Sequence, residues 1–178
     1  EPPERGSAAQ DREPDPEAVA RAIALRLLTG APRSRHQLAE AMARREVAPE
    51  VAARVLDRLT EVGLIDDAAF AQMLVRSQRE SRGLARRGLA VELRRRGVGN
   101  AEATAALDDV DPEAEAATAA ELLRRRWRDD VDVTTQARRA MAMLARKGYP
   151  PGLSRRLVAE MVDDRGGRRW EDTPGVDE

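Results

Sequence analysis

The side chains with the most chemistry to offer in this chain are its guanidinium groups. All of the 31 cationic residues except Lys147 are arginine, and eight of them (Arg76, Arg79, Arg82, Arg86, Arg87, Arg94, Arg95 and Arg96) fall between residues 76 and 96, against only Glu80 and Glu92. A planar guanidinium binds phosphate or carboxylate through two parallel hydrogen bonds. So strong a preference for arginine over lysine follows either from that chemistry or from a GC-rich genome. Arg79, Arg82 and Arg86 share one helical side if the helix runs on through Gly83. Such a stripe attracts a polyanion or an acidic protein surface. No aromatic residue is interleaved with it, which argues against base stacking and favours tracking a backbone or docking a protein. The net charge of −1 hides this segregation, because residues 108–121 carry six carboxylates and no cation before Arg124, Arg125, Arg126 and Arg128 restore the positive sign.

Catalytic chemistry has little to work with. His36 is the single histidine and the chain has no cysteine, so a thiolate or histidine metal cluster is not expected. No serine has a histidine or aspartate partner at a useful spacing, and Gly83, Gly88, Gly97 and Gly99 lack the lysine and hydroxyl residues of a phosphate loop. The acidic pairs Asp66-Asp67, Asp108-Asp109 and Asp163-Asp164 all stand at expected helix ends, where capping and dipole effects explain them. A binding protein without cofactor or metal is expected, not an enzyme.

The elements that carry the arginines repeat at a fixed interval. Leu38-Met42-Val47, Leu89-Leu93-Val98 and Ala140-Leu144-Tyr149 are one apolar pattern displaced twice by 51 residues. Arg45, Arg96 and Lys147 fall in register with it, as do Leu56, Leu107 and Val158. That is the signature of one small supersecondary unit used several times. With 42% apolar but 2% aromatic residues, the cores must be built from Ala, Leu, Val and Met, a composition that favours helices. Asp15-Pro16-Glu17-Ala18 and Asp111-Pro112-Glu113-Ala114 are strong helix starts, and Asp66-Asp67 before Phe70 is a weaker one. Ser34 with Gln37 fits a capping box. Further helices are expected near Pro49, Asn100 and Pro151. Gly63-Leu64, Gly97-Val98 and Gly148-Tyr149 fit glycine C-caps followed by an apolar residue. Glu46 stands where the other repeats carry Gly97 and Gly148, so the second helix of the first repeat is expected to end differently.

The expected architecture is all-α, with three tandem three-helix repeats at residues 16–65, 66–110 and 111–164 between disordered tails at 1–15 and 165–178. No apolar run approaches the ~20 residues of a membrane span, and a cytoplasmic protein is the default.

Several of these residues look familiar together. Residues 63–71 (Gly63-Leu64-Ile65-Asp66-Asp67-Ala68-Ala69-Phe70-Ala71), then Arg76, Arg87-Gly88-Leu89 and Glu92-Leu93-Arg94-Arg95-Arg96-Gly97-Val98, closely resemble the central repeat of the RecX family, bacterial regulators of the RecA recombinase. Leu144-Ala145-Arg146-Lys147-Gly148-Tyr149 is similar to that family's third-repeat signature. The resemblance spans about Ala18 to Val162 and leaves out both tails. It implies an elongated, curved helical array that lies along the groove of the RecA–DNA filament, limiting filament growth, ATP hydrolysis and strand exchange, most simply as a monomer. On that reading Arg76, Arg79, Arg82, Arg86, Arg87, Arg94, Arg95 and Arg96 form the main contact face, joined on the third repeat by Arg124, Arg125, Arg126, Arg138, Arg139 and Lys147. Leu89, Leu93, Val98 and Phe70 would be core. A stand-alone DNA-binding protein with helix-turn-helix-like units, or an inert helical scaffold, are the competing readings.

Overall fold

Helix boundaries follow the capping residues closely. The computed structural model describes residues 15–165, and among these are nine α-helices and no strand: α1 (Pro16–Gly30), α2 (Arg35–Ala43), α3 (Pro49–Glu61), α4 (Asp67–Arg82), α5 (Arg86–Arg95), α6 (Asn100–Asp108), α7 (Pro112–Arg126), α8 (Val133–Lys147) and α9 (Pro151–Asp163). The side chain of Asp15 accepts the Glu17 N–H at 3.1 Å, and Asp111 accepts those of Glu113 and Ala114, also at 3.1 Å. Each is followed by proline in the first turn, whose missing N–H costs nothing there. Ser34 and Gln37 close a reciprocal capping box through two bonds of 3.2 Å. Apart from Asp15 and Arg165, both tail segments lie outside the described residues.

The C-terminal turns correct one expectation. Glu46 takes a left-handed φ of 58°, alongside 70° at Gly97 and 88° at Gly148. The next residue then closes the same bond in all three repeats: Val47 N–H to the Met42 carbonyl, Val98 to Leu93 and Tyr149 to Leu144, at 3.1–3.2 Å. The first repeat's second helix therefore ends as the others do, with a glutamate tolerating a conformation that costs a non-glycine residue about 1–2 kcal/mol.

Every apolar member of the 51-residue pattern is buried or half-buried. Leu38 and Met42 join Ile23, Val55, Leu56 and Ile65 in a core formed by α1–α3. Phe70, Leu74, Leu89, Leu93, Val98 and Leu107 form the core of α4–α6. Leu123, Ala140, Leu144, Tyr149, Leu157 and Val158 form that of α7–α9, together with Ala85 from the α4–α5 turn. The chain divides into two compact units, which part between Asp66 and Asp67. The first holds α1–α3; the second holds α4–α9.

Within the second unit the two three-helix halves are welded along a backbone seam. Gly83 ends α4 at φ 59°, and the Ala85 N–H donates to the Lys147 carbonyl at 3.0 Å. The Tyr149 hydroxyl donates to the Gly83 carbonyl at 3.0 Å, and the Arg86 N–H donates to Glu115 Oε2 at 2.7 Å. Gly88 and Gly148 meet with no room for a side chain: a Cβ on Gly148 would stand 2.2 Å from the Gly88 nitrogen, and one on Gly88 would stand 2.4 Å from the Lys147 carbonyl oxygen.

Candidate functional site

Because α4 stops at Arg82, the stripe expected from Arg79, Arg82 and Arg86 is broken. Arg86 opens α5 instead, and its guanidinium donates to the Leu107 carbonyl and to Asp108 Oδ1, both at 2.6 Å. It ties α5 to the end of α6. That bond also replaces the expected explanation of Asp108. At the C-terminus of a helix a carboxylate opposes the dipole, and so do Asp163 and Asp164 at the end of α9. Only Asp66-Asp67 stands at a helix start.

A different set of cations converges. The second unit has a groove of roughly 650 Å³ between the C-terminal turns of α4 and α7 and the end of α8, lined by Arg79, Arg82, Arg125, Arg126 and Lys147. Five cations there face two carboxylates, Glu80 and Glu121. Glu121 is already engaged: it accepts from Arg124 Nη2 at 2.9 Å and from Arg125 Nε at 2.7 Å, and those bonds hold its carboxyl below the usual range. Lys147 donates its ammonium to the Arg82 carbonyl. Burial, followed by the charges of Arg126 and Arg82, pushes its pKa down. Like charges so arranged favour an anion among them.

Two further grooves share walls with this one. Arg82 also borders a groove of roughly 540 Å³ between α5 and α8, with Arg87, Arg95 and Arg146. Arg126 also borders one of roughly 290 Å³ beside Trp127, with Arg128, Arg139 and Arg146. Each pair of these three has one arginine in common: Arg82, Arg126 or Arg146.

The expected contact residues are divided by this geometry. Arg79, Arg82, Arg87, Arg95, Arg125, Arg126, Arg139 and Lys147 line these three grooves. Arg76 lines an adjoining groove with Asp109, which shares Arg79, Glu80 and Thr118 with the α4–α7 groove. Arg95 and Arg96 both pair with the buried Glu92, at 3.0 and 3.1 Å, and Arg124 pairs with Glu121 at 2.9 Å. Arg94 and Arg138 are exposed without lining any of these grooves. Arg146 and Arg128 were missed from sequence, although Arg146 stands beside Lys147 in the same basic pair. Arg128 is held by Asp130 at 2.8 Å.

His36 is exposed, 3.4 Å from Glu40 one turn along α2. Among the described residues no group of three or more His, Cys, Asp or Glu side chains could hold a metal ion, and no helix is long and apolar enough to cross a membrane. The chemistry on offer is recognition of negative charge.

Comparison with known proteins agrees on the family. Family models described as the first and second three-helix domains of RecX match residues 20–59 and 66–107. A "Regulatory protein RecX" from Thermobifida fusca is 51% identical over 166 residues, covering 92% of this chain and 88% of the relative. One from Streptomyces coelicolor is 49% identical over 164 residues, covering 90% and 87%. Among solved structures, the fold is similar to the crystal structure of RecX from Lactobacillus salivarius, with a TM-score of 0.73 at 16% identity over 83% of this chain and 97% of that one.

Proposed function

The chain belongs to the RecX family, and on that premise we propose that it regulates the RecA recombinase, mainly as an inhibitor, by binding along the groove of the RecA–DNA filament. It acts there as a binding protein in the cytoplasm, limiting filament growth, ATP hydrolysis and strand exchange. The observation that carries this reading is the convergence of Arg79, Arg82, Arg125, Arg126 and Lys147 from three helices into one groove. A surface of that kind suits a long, negatively charged polymer, where several weak contacts add through effective concentration. Inhibition further requires that it bind one filament state more tightly than another, since equal binding shifts nothing.

Co-sedimentation with preformed RecA–DNA filaments, paired with a RecA ATPase assay, tests the proposal. The protein should pellet with filaments made with an ATP analogue, and ATP hydrolysis should fall as it is added. Weak binding to bare DNA, steeply dependent on salt, is compatible with this. Tight binding to bare DNA with no effect on RecA would favour the stand-alone DNA-binding reading instead.

A further inference from the structure

The three basic grooves differ in their floors. The α4–α7 groove is walled by polar groups such as Ser81, Thr118 and Glu121, whereas the α5–α8 groove places Leu84, Val91 and Pro151 among its arginines. Val91 is 59% exposed, more than any other large hydrophobic residue among those described. A single exposed valine is ordinarily unremarkable. This one lies on α5 one turn from Arg87 and one turn from Arg95, and all three border the same groove.

A phosphodiester backbone gains nothing from an aliphatic floor, and bases need an aromatic platform. Tyr149 cannot serve as one, because it is 3% exposed and its hydroxyl is committed to Gly83. The groove's own carboxylate, Glu92, is buried and already paired with Arg95 and Arg96. Glu92 thus engages Arg95, whereas Arg82, Arg87 and Arg146 form no ion pair among the described residues and are left to an incoming partner. An acidic segment with one aliphatic side chain satisfies both parts, laying carboxylates on the guanidiniums and its apolar group on Val91.

We propose that the groove between α5 and α8 docks an acidic protein segment bearing an aliphatic side chain, and that nucleic acid is left to the polar α4–α7 groove. The identity of the protein supplying that segment rests on the RecA-directed reading above; the recognition chemistry of the groove does not.

Fluorescence anisotropy with the full chain separates the two. The probes are a synthetic Asp/Glu-rich peptide with one central leucine, the same peptide with that leucine replaced by serine, and a labelled oligothymidylate. Val91→Ser keeps the charge and removes the apolar contact. It should weaken the leucine peptide about five- to tenfold while leaving the serine peptide, the oligonucleotide and its salt slope unchanged. Arg126→Gln should weaken the oligonucleotide and preserve the preference for leucine. The proposal is overturned if the wild-type chain does not distinguish the two peptides, or if Val91→Ser weakens the oligonucleotide as much as the leucine peptide. Leucine-dependent peptide binding by a chain that ignores RecA filaments would sink the RecA reading and leave the groove assignment standing.

Discussion

The second helices of the first and third repeats end through the same backbone turn, yet one carries Glu46 and the other Gly148 at the left-handed position. The difference teaches what demands glycine here. Conformation alone does not, because Glu46 reaches φ 58° and stays exposed. Gly148 is required by its neighbour: the Gly88 backbone occupies the space a Cβ needs. In the third repeat the helix cap is also a joint, and it positions Lys147 and Tyr149 against Arg82 and Gly83.

That contrast can be broken or sharpened by substitution. Gly148→Ala should have the largest effect, about 3–5 kcal/mol of lost stability in chemical denaturation, since it adds backbone overlap to a strained φ. Gly88→Ala should follow at about 2–4 kcal/mol, because the helix tolerates alanine and the cost is confined to the overlap of the new Cβ with the Lys147 carbonyl. A small effect for both would mean that the seam is not tightly packed.

Tyr149→Phe should cost about 1–2 kcal/mol by leaving the Gly83 carbonyl without its donor. The same group gives a pH signature. Burial first, then the Glu115 charge, pushes the phenol from its ordinary 10 up to about 12. The folded state thus holds the proton more tightly than the unfolded one. The contribution is complete below about pH 10 and is lost as pH rises through 12. Lys147, lowered by burial and its cationic neighbours, works in the opposite sense over the alkaline range. Phenolate absorbance is therefore a cleaner readout than global stability, and Tyr149 is the chain's single tyrosine. Titration near 10 in the folded protein would deny the seam its buried hydroxyl.

Glu46→Gly should give the smallest change and the opposite sign, a gain of about 1 kcal/mol as the left-handed strain disappears. A loss would show that the Glu46 side chain does something the fold requires.

Much of the fold was legible because it is written locally. The 51-residue apolar register, the Asp-Pro starts and the Ser34–Gln37 box each depend on neighbours a few residues away. The seam was not legible, since Gly148 reads from sequence as an ordinary C-cap and nothing in the spacing of Gly88 shows that the two backbones meet. Gly83 was ambiguous for a similar reason. Glycine within a helix costs only about 1 kcal/mol, and what accompanies its left-handed turn is Leu122 on α7, which would lie 2.9 Å from a Cβ there. Ending α4 at that point sent Arg86 to Asp108, and packing α7 and α8 beside the α4 terminus brought Arg125, Arg126 and Lys147 to Arg79 and Arg82. Composition could count those cations; only tertiary packing could group them.

The triple variant Arg79→Glu/Arg82→Glu/Arg126→Glu tests the central claim most directly, because it reverses the groove without removing an ion pair among the described residues. With helical circular dichroism and thermal unfolding preserved, it should no longer pellet with RecA–DNA filaments or slow RecA's ATP hydrolysis. Undiminished pelleting and inhibition by a folded triple variant would contradict the assignment of this groove to the filament.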